Sequence, residues 1–347
     1  MSPSGPAAHG RIIASAFRPH PLLRNAHVQT IAPALLRPLP TLDRRVERIE
    51  LPDGDFVDVA WSGPSGPDRP IAILLHGLGG GLDSGYMLGL GRLLTKQGWR
   101  ICALQQRGAG PEPNRLPRAY NHGLSSDLRH VWSVLRQRES NAFLACVGWS
   151  LGGNVLLKAL AEEGSAAPIS LACAVSVPFN LSTCELHLRN GFARVYQHRL
   201  LSACKDMVRR KHEQASLAEH VNVDAILAAK NFSEFDDAFT APLNEYLDSQ
   251  DYYARAACGG YLSDIRTPTL ILHALDDPFM APGIVPSETA LSPYVDLELA
   301  ERGGHVGFIA ANAAGLPYCW SEHHISRMLV QAFGKIAPDD EIEGAPA

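Results

Sequence analysis

The 347-residue chain has no apolar run approaching the roughly 18 residues that a membrane-crossing helix needs, so no transmembrane segment is expected. Its first residues, MSPSGPAAHGRIIASAF, lack the basic start and long apolar centre of a secretory signal, which leaves the cytoplasm as the expected compartment. Cysteine is scarce and unpatterned. The seven residues, an odd count, include no C-x-x-C pair, which argues against a disulfide scaffold or a zinc ribbon. Cys102, Cys146 and Cys173 sit inside apolar runs, where a reduced thiol behaves as a small hydrophobe. His323 and His324 are adjacent rather than four apart, so no metal site is expected. A net charge of −5 with scattered cations excludes the basic footprint of a nucleic-acid binder. Arg209, Arg210 and Lys211 form the one tight basic cluster and read as a solvated helix face. Neither G-x-x-x-x-G-K-[ST] nor G-x-G-x-x-G occurs over the glycine-rich 76–91, so a nucleotide cofactor is not expected there, nor any other cofactor.

Apolar residues make up 46% of the chain and charged residues 19%, enough material for a sizeable core. Residues 1–12 and 337–347 are Pro/Ala/Gly-rich or acidic and read as disordered tails flanking a single domain at 13–336. RVERIEL (45–51) and FVDVAW (56–61), joined across PDGD, read as an antiparallel hairpin. Further strands are expected at 71–75, 100–105, 143–149, 171–177, 269–275 and 295–301. The runs at 71, 143, 171 and 269 are almost continuously apolar, as strands covered on both faces should be. Helical periodicity falls between them, at about 85–97, 125–139 and 152–163, and again at 321–335. The alternation predicts an α/β fold: a mostly parallel, doubly wound sheet opening with an antiparallel hairpin. Between Val177 and Thr269 the strand signal lapses. A structureless loop of that length does not suit a compact domain, so 178–262 is expected to be a helical cap inserted over the sheet's C-terminal edge.

CVGWSLGGNVLLKAL (146–160) carries the chemistry. In G-x-S-x-G a strand turns sharply into a helix and lifts the serine to the apex. Gly148 and Gly152 flank Ser150 and leave room for neighbouring backbone, while the helix beginning near Leu151 aims free N–H groups at the same point. A serine is a weak nucleophile unless a base takes its proton and an anion orients that base. On such an elbow the acid and then the histidine follow later in the chain. LILHALDDPFMAPG places Asp276 and Asp277 at the end of the strand at 269–275. LELAERGGHVGFI places His305 after the next one, where sites of open α/β sheets collect. Asp277, directly before Pro278, is the preferred acid; Asp276 is the alternative, and one of the pair is expected to cap the turn. LLHGLGGGLDSGY (74–86) offers a second oxyanion donor, so the backbone N–H groups of Leu78 and Leu151 are the expected pair.

Four stretches give the chain a family resemblance: FRPHPLLRNAHVQTIAP (17–33), HGLGGGLDSGYM, QQRGAGPEPNRLPRAYNHG (105–123) and GWSLGGN. Together they resemble the α/β-hydrolase superfamily and, within it, the YheT-like branch, the AB hydrolase 4 family. The resemblance implies an α/β-hydrolase fold with Ser150, Asp277 and His305 in the catalytic positions. It also implies an activity on carboxylic esters, carboxylesterase- or lipase-like, with a small short- to medium-chain or lipid ester as substrate. Transfer of the acyl group to an alcohol and a non-catalytic binding scaffold are the alternatives. Gln105 and Gln106 depart from the residues usual before Arg-Gly, which bears on the site wall. Arg107, Asn114, Arg115, Arg118 and Tyr120 are read as pins for a long loop rather than ligand contacts. His76 is expected to order its own loop, His122 a neighbouring turn, and Trp149 to pack. His27 and Gln29 are expected to anchor the N-terminal segment. NGFARVYQHRLL and FSEFDDAFTAPL read as cap packing.

Overall fold

The computed structural model describes residues 9–35, 37–66, 69–214 and 217–334. Nine strands form one sheet: β1 (Arg11–Ala14), β2 (Arg45–Glu50), β3 (Phe56–Ser62), β4 (Ile71–Leu75), β5 (Arg100–Gln105), β6 (Leu144–Trp149), β7 (Leu171–Val175), β8 (Thr269–Ala274) and β9 (Val295–Ala300). Their order is β1-β9-β8-β7-β6-β4-β5-β3-β2. The β2–β3 hairpin is antiparallel, with Arg45 opposite Trp61 and Glu50 opposite Phe56, and β3 runs antiparallel to β5. All other pairs in the sheet are parallel. A separate small hairpin joins β10 (Ile309–Ala311) to β11 (Pro317–Cys319). The strands expected from the apolar runs are present, and so is the hairpin.

One boundary needs correcting. Arg11 and Ile12, assigned to the N-terminal tail, belong to β1, which pairs with β9 in the register Arg11↔Asp296. Four residues carry too little alternation to stand out, and their partner lies almost the whole chain away. The expected tail at 337–347 falls outside the described residues.

Helices cover both faces. α1 (Ala26–Leu35) precedes the sheet's hairpin, followed by α2 (Gly85–Thr95), α3 (Ser126–Arg138) and α4 (Leu151–Glu163). Strand alternation sorts β4 cleanly: Ile71, Ile73 and Leu75 join the core under α3 and α4, while Ala72 and Leu74 join that under α2 and the C-terminal helix. Each of these large aliphatic side chains is fully buried, worth roughly 1.5–3 kcal/mol. The interval after β7 is helical: α5 (Leu181–Leu188), α6 (Ala193–Gln214), α7 (Val223–Ala228), α8 (Phe232–Phe235), α9 (Ala241–Leu243) and α10 (Ser249–Ala256). A π-helical turn, Asp236–Thr240, links α8 to α9. Finally α11 (Trp320–Gly334) packs against α2.

The strand order fixes where chemistry can sit. From β4 the chain moves to β5 on one side and then to β6 on the other, so the loops after β4 and β6 leave the sheet at the point of reversal. Crevices at such reversals are where open α/β sheets bind ligands.

Candidate active site

Ser150 occupies the turn between β6 and α4 at φ 51°, ψ −118°, a conformation that costs a non-glycine residue on the order of 1–3 kcal/mol. The surroundings hold it there. Its N–H donates to Val175 O on the next strand at 2.8 Å, and its carbonyl accepts from Asn154 N at 3.0 Å. The flanking glycines are required by close approach: a Cβ on Gly148 would lie 2.4 Å from Gly152 O, and one on Gly152 would lie 2.6 Å from both Leu75 O and His76 O. The G-x-S-x-G spacing thus records three backbone segments packed without room for a methyl group.

Asp277, His305 and Ser150 come together. Ser150 Oγ lies 3.0 Å from His305 Nε2, and His305 Nδ1 lies 2.8 Å from Asp277 Oδ2. A carboxylate can only accept, so the ring proton sits on Nδ1 and Nε2 is left to accept from the serine hydroxyl. Asp277 has a fully buried side chain, and its other oxygen accepts from Phe279 N at 2.9 Å. Phe279 then stacks on the imidazole, with centroids 3.9 Å apart and planes 4° from parallel. Asp276 takes the capping task instead: its Oδ1 accepts from Gly304 N at 2.9 Å, on the loop that carries His305. Burial raises the Asp276 carboxyl above the ordinary range, against backbone hydrogen bonds that lower it.

Leu78 and Leu151 line the same cavity as Ser150, and neither backbone N–H donates a hydrogen bond among the described residues. The loop bearing Leu78 is fixed residue by residue. Gly77 N donates to Tyr86 Oη at 3.0 Å, Gly79 N to Tyr120 Oη at 2.9 Å, and Leu82 N to Gln105 Oε1 at 3.1 Å. Gln106 Nε2 donates to His76 O at 2.7 Å, and Gln106 N donates to His76 Nε2 at 3.1 Å. His76 therefore carries its proton on Nδ1 and donates it to Gly77 O at 2.8 Å. Burial lowers the His76 pKa to about 4, so the ring is neutral and the pattern holds at ordinary pH. His76 does order its own loop. Gln105 and Gln106, singled out only as a departure, prove to be its braces.

The pins read from QQRGAGPEPNRLPRAYNHG are structural. Arg107 is buried and its guanidinium meets three carboxylates: Asp127 at 2.7 Å, Asp53 at 2.7 Å and Asp55 at 3.1 Å. Asn114 Nδ2 donates to Asp55 Oδ2 at 2.6 Å, Arg115 Nη2 to Glu50 Oε1 at 2.9 Å, and Arg118 pairs with Asp53. Lys211 departs from the solvated face expected of it. Its buried ammonium donates to Asn114 O at 2.8 Å and Oδ1 at 2.7 Å, tying α6 to this loop, and burial lowers its pKa to about 8. Trp149 is fully buried, with Tyr86 packed on it at 4.8 Å. His27 Nδ1 lies 2.8 Å from Tyr196 Oη on α6, while Gln29 bonds Leu23 O and both backbone groups of Ile309.

A void of about 100 Å³ opens beside Ser150, between the sheet's edge and the helices after β7. Leu78, Leu151, Leu200, Met207, Phe235 and Phe279 are among its walls, so the stripes read as cap packing also line the cavity. Among the described residues no cluster of His, Cys, Asp and Glu could hold a metal ion, and no helix is long and apolar enough to cross a membrane.

A serine on a strand–helix elbow at the reversal of a doubly wound sheet, with helices inserted after β7, is the architecture of the α/β hydrolases. The model of the alpha/beta hydrolase fold matches residues 70–311, and the chain belongs to that family, in its YheT-like branch. It is 40% identical over 303 residues to Escherichia coli YheT, an esterase by name, covering 87% of this chain and 89% of that one. Mouse phospholipase ABHD3 is 29% identical, covering 87% of this chain and 75% of its own. Among solved structures, an esterase of Pyrococcus furiosus superposes with a TM-score of 0.52 at 15% identity, over 86% of this chain and 97% of that one, a likeness of fold.

Proposed function

We propose that the protein is a serine hydrolase of carboxylic esters. The observation that carries the reading is the continuous chain from Asp277 through His305 to Ser150, at 2.8 and 3.0 Å. His305 Nε2 takes the hydroxyl proton as Ser150 Oγ attacks the ester carbonyl. Asp277 holds the ring in the tautomer that can accept and stabilises the imidazolium that forms. The Leu78 and Leu151 amides receive the tetrahedral oxyanion, each such donor typically worth roughly 3–4 kcal/mol in the transition state. The imidazolium protonates the departing alcohol, and water repeats the sequence on the acyl-enzyme. This chemistry asks for no metal or organic cofactor.

The apolar cavity beside Ser150 suits a short- to medium-chain acyl group or one chain of a lipid ester, and the names of the relatives, esterase and phospholipase, point the same way. The free thiols buried in the core favour a reducing, cytoplasmic setting. The test is Ser150→Ala against p-nitrophenyl butyrate. Removing such a nucleophile costs on the order of 10⁶ in kcat, so turnover should fall to the background rate. Turnover within tenfold of the unmodified protein would reject the assignment.

A further inference from the structure

The cavity beside Ser150 has a polar point on its wall that the proposed reaction does not use. His122 lines the void together with Ser150, Leu78 and Tyr120. Its Nδ1 lies 3.0 Å from Tyr252 Oη, and the same hydroxyl accepts from the His122 backbone N–H at 3.0 Å. A phenol has one proton to give, and among the described residues Nδ1 is the only acceptor it meets. Tyr252 therefore donates to Nδ1, and the imidazole carries its own proton on Nε2. That N–H has no hydrogen-bond partner among the described residues. Nor is Nε2 among the fully buried polar atoms that lack one, and the residue that carries it stands on the wall of the void.

Position and charge are both fixed. Asn154 Nδ2 donates to His122 O at 2.8 Å and to Ala256 O at 2.8 Å. Asn154 stands one helical turn beyond Ser150, about 5.4 Å along the axis of α4, so His122 is anchored close to the nucleophile. Burial lowers the ring's pKa to about 3, which keeps it a neutral donor through the physiological range.

We infer that His122 Nε2–H is a specificity-determining donor that selects esters carrying a second hydrogen-bond acceptor, an ether, hydroxyl or carbonyl oxygen, a few atoms from the scissile carbonyl. This rests on Ser150 as the nucleophile. A chain of methylenes filling the cavity covers the N–H and leaves it unpaired; an oxygen at the right position pairs it. Leaving a buried donor unpaired is costly enough to make the preference about 10- to 100-fold.

The probe is a series of p-nitrophenyl alkanoates and the isosteres in which one methylene at a time is replaced by an ether oxygen. Each kcat/KM is normalised to the ester's own alkaline hydrolysis rate. The readout is the ratio of oxa to all-carbon ester within one protein, so a general loss of activity cancels. The unmodified protein should favour the oxa ester at one chain position by about 10-fold or more. His122→Phe should bring the ratio to about 1, and His122→Gln, which keeps an N–H, should restore part of it. Tyr252→Phe, which frees the ring to change tautomer, should lower the ratio while keeping the imidazole. A ratio near 1 at every position in the unmodified protein, or an unchanged preference in His122→Phe or Tyr252→Phe, overturns the inference. Full hydrolysis of the all-carbon ester by Ser150→Ala would instead overturn the reading of the nucleophile.

Discussion

Replacing Asp277 by asparagine should leave the site's shape intact and remove its base. The carboxylate now accepts twice, from Phe279 N at 2.9 Å and from His305 Nδ1 at 2.8 Å. An asparagine has one oxygen for these two donors. The backbone N–H of Phe279 cannot turn away, so it keeps the oxygen, and the amide NH₂ faces the imidazole. His305 can meet that NH₂ only as an acceptor at Nδ1, which moves its proton to Nε2, against Ser150 Oγ. A ring protonated there cannot take the serine proton. The same inversion in serine proteases costs about 10⁴ in kcat, or about 5.4 kcal/mol at 1.36 kcal/mol per tenfold. Asp276→Asn is the control: its carbonyl still accepts from Gly304 N, so kcat should stay within about tenfold. Kinetics on p-nitrophenyl butyrate, with melting curves to confirm folding, compare the two. Near-normal turnover in Asp277→Asn with loss in Asp276→Asn would refute the tautomer argument and exchange the aspartates.

Two further outcomes follow from buried polar groups. Gln106→Leu removes the 2.7 Å bond to the buried carbonyl of His76, which should cost about 1–3 kcal/mol of stability, and should lower kcat more than it raises KM, since Leu78 shares that loop; calorimetry and steady-state kinetics check both parts. Burial raises the Asp236 carboxyl to about 7 despite hydroxyl donors from Thr240 and Tyr253. Its folded pKa exceeds the unfolded one, so the native state holds the extra proton between about pH 4 and 7, and stability falls with rising pH by up to about 1.4 kcal/mol per unit. Asp236→Asn should lack that slope and gain on the unmodified protein as pH rises from 4 to 8, measured by urea unfolding; parallel curves for the two proteins would refute it.

The parts of the site that were legible share a property: each is written in neighbouring residues. An elbow needs glycines at fixed offsets from its serine, and an acid at a strand end sits beside a turn-forming proline. What escaped the sequence is assembled from distant segments. Nothing local distinguishes Lys211 from Arg209 and Arg210, yet its burial depends on Asn114, ninety-seven residues earlier, offering two oxygens. The strand at Arg11–Ala14 exists because β9 presents an open edge. His122 looked like a turn residue, and its role depends on a hydroxyl from α10. The residues on the cap stripes were readable as apolar, but not which of them face a void.

The N-terminal signature, 17–33, contributes no reacting atom, yet the geometry explains why it accompanies the elbow. His305 lies on a loop where Val306 and Phe308 take φ of 62° and 46°, a conformation costly for β-branched and bulky residues. Such a loop relaxes unless its neighbours hold it. Thr30 Oγ1 accepts from His305 N at 2.9 Å, and Ser176 Oγ accepts from Val306 N at 3.0 Å. Gln29 accepts from Ile309 N at 2.7 Å and donates to Ile309 O at 3.1 Å, so one side-chain amide satisfies both backbone groups as a strand neighbour would. The histidine is thus positioned from two directions: Asp277 fixes its ring, and α1 fixes the backbone that carries it. The contact between the imidazole and the serine hydroxyl needs both constraints, because a ring oriented on a loose loop would still lose the 3.0 Å contact to Ser150.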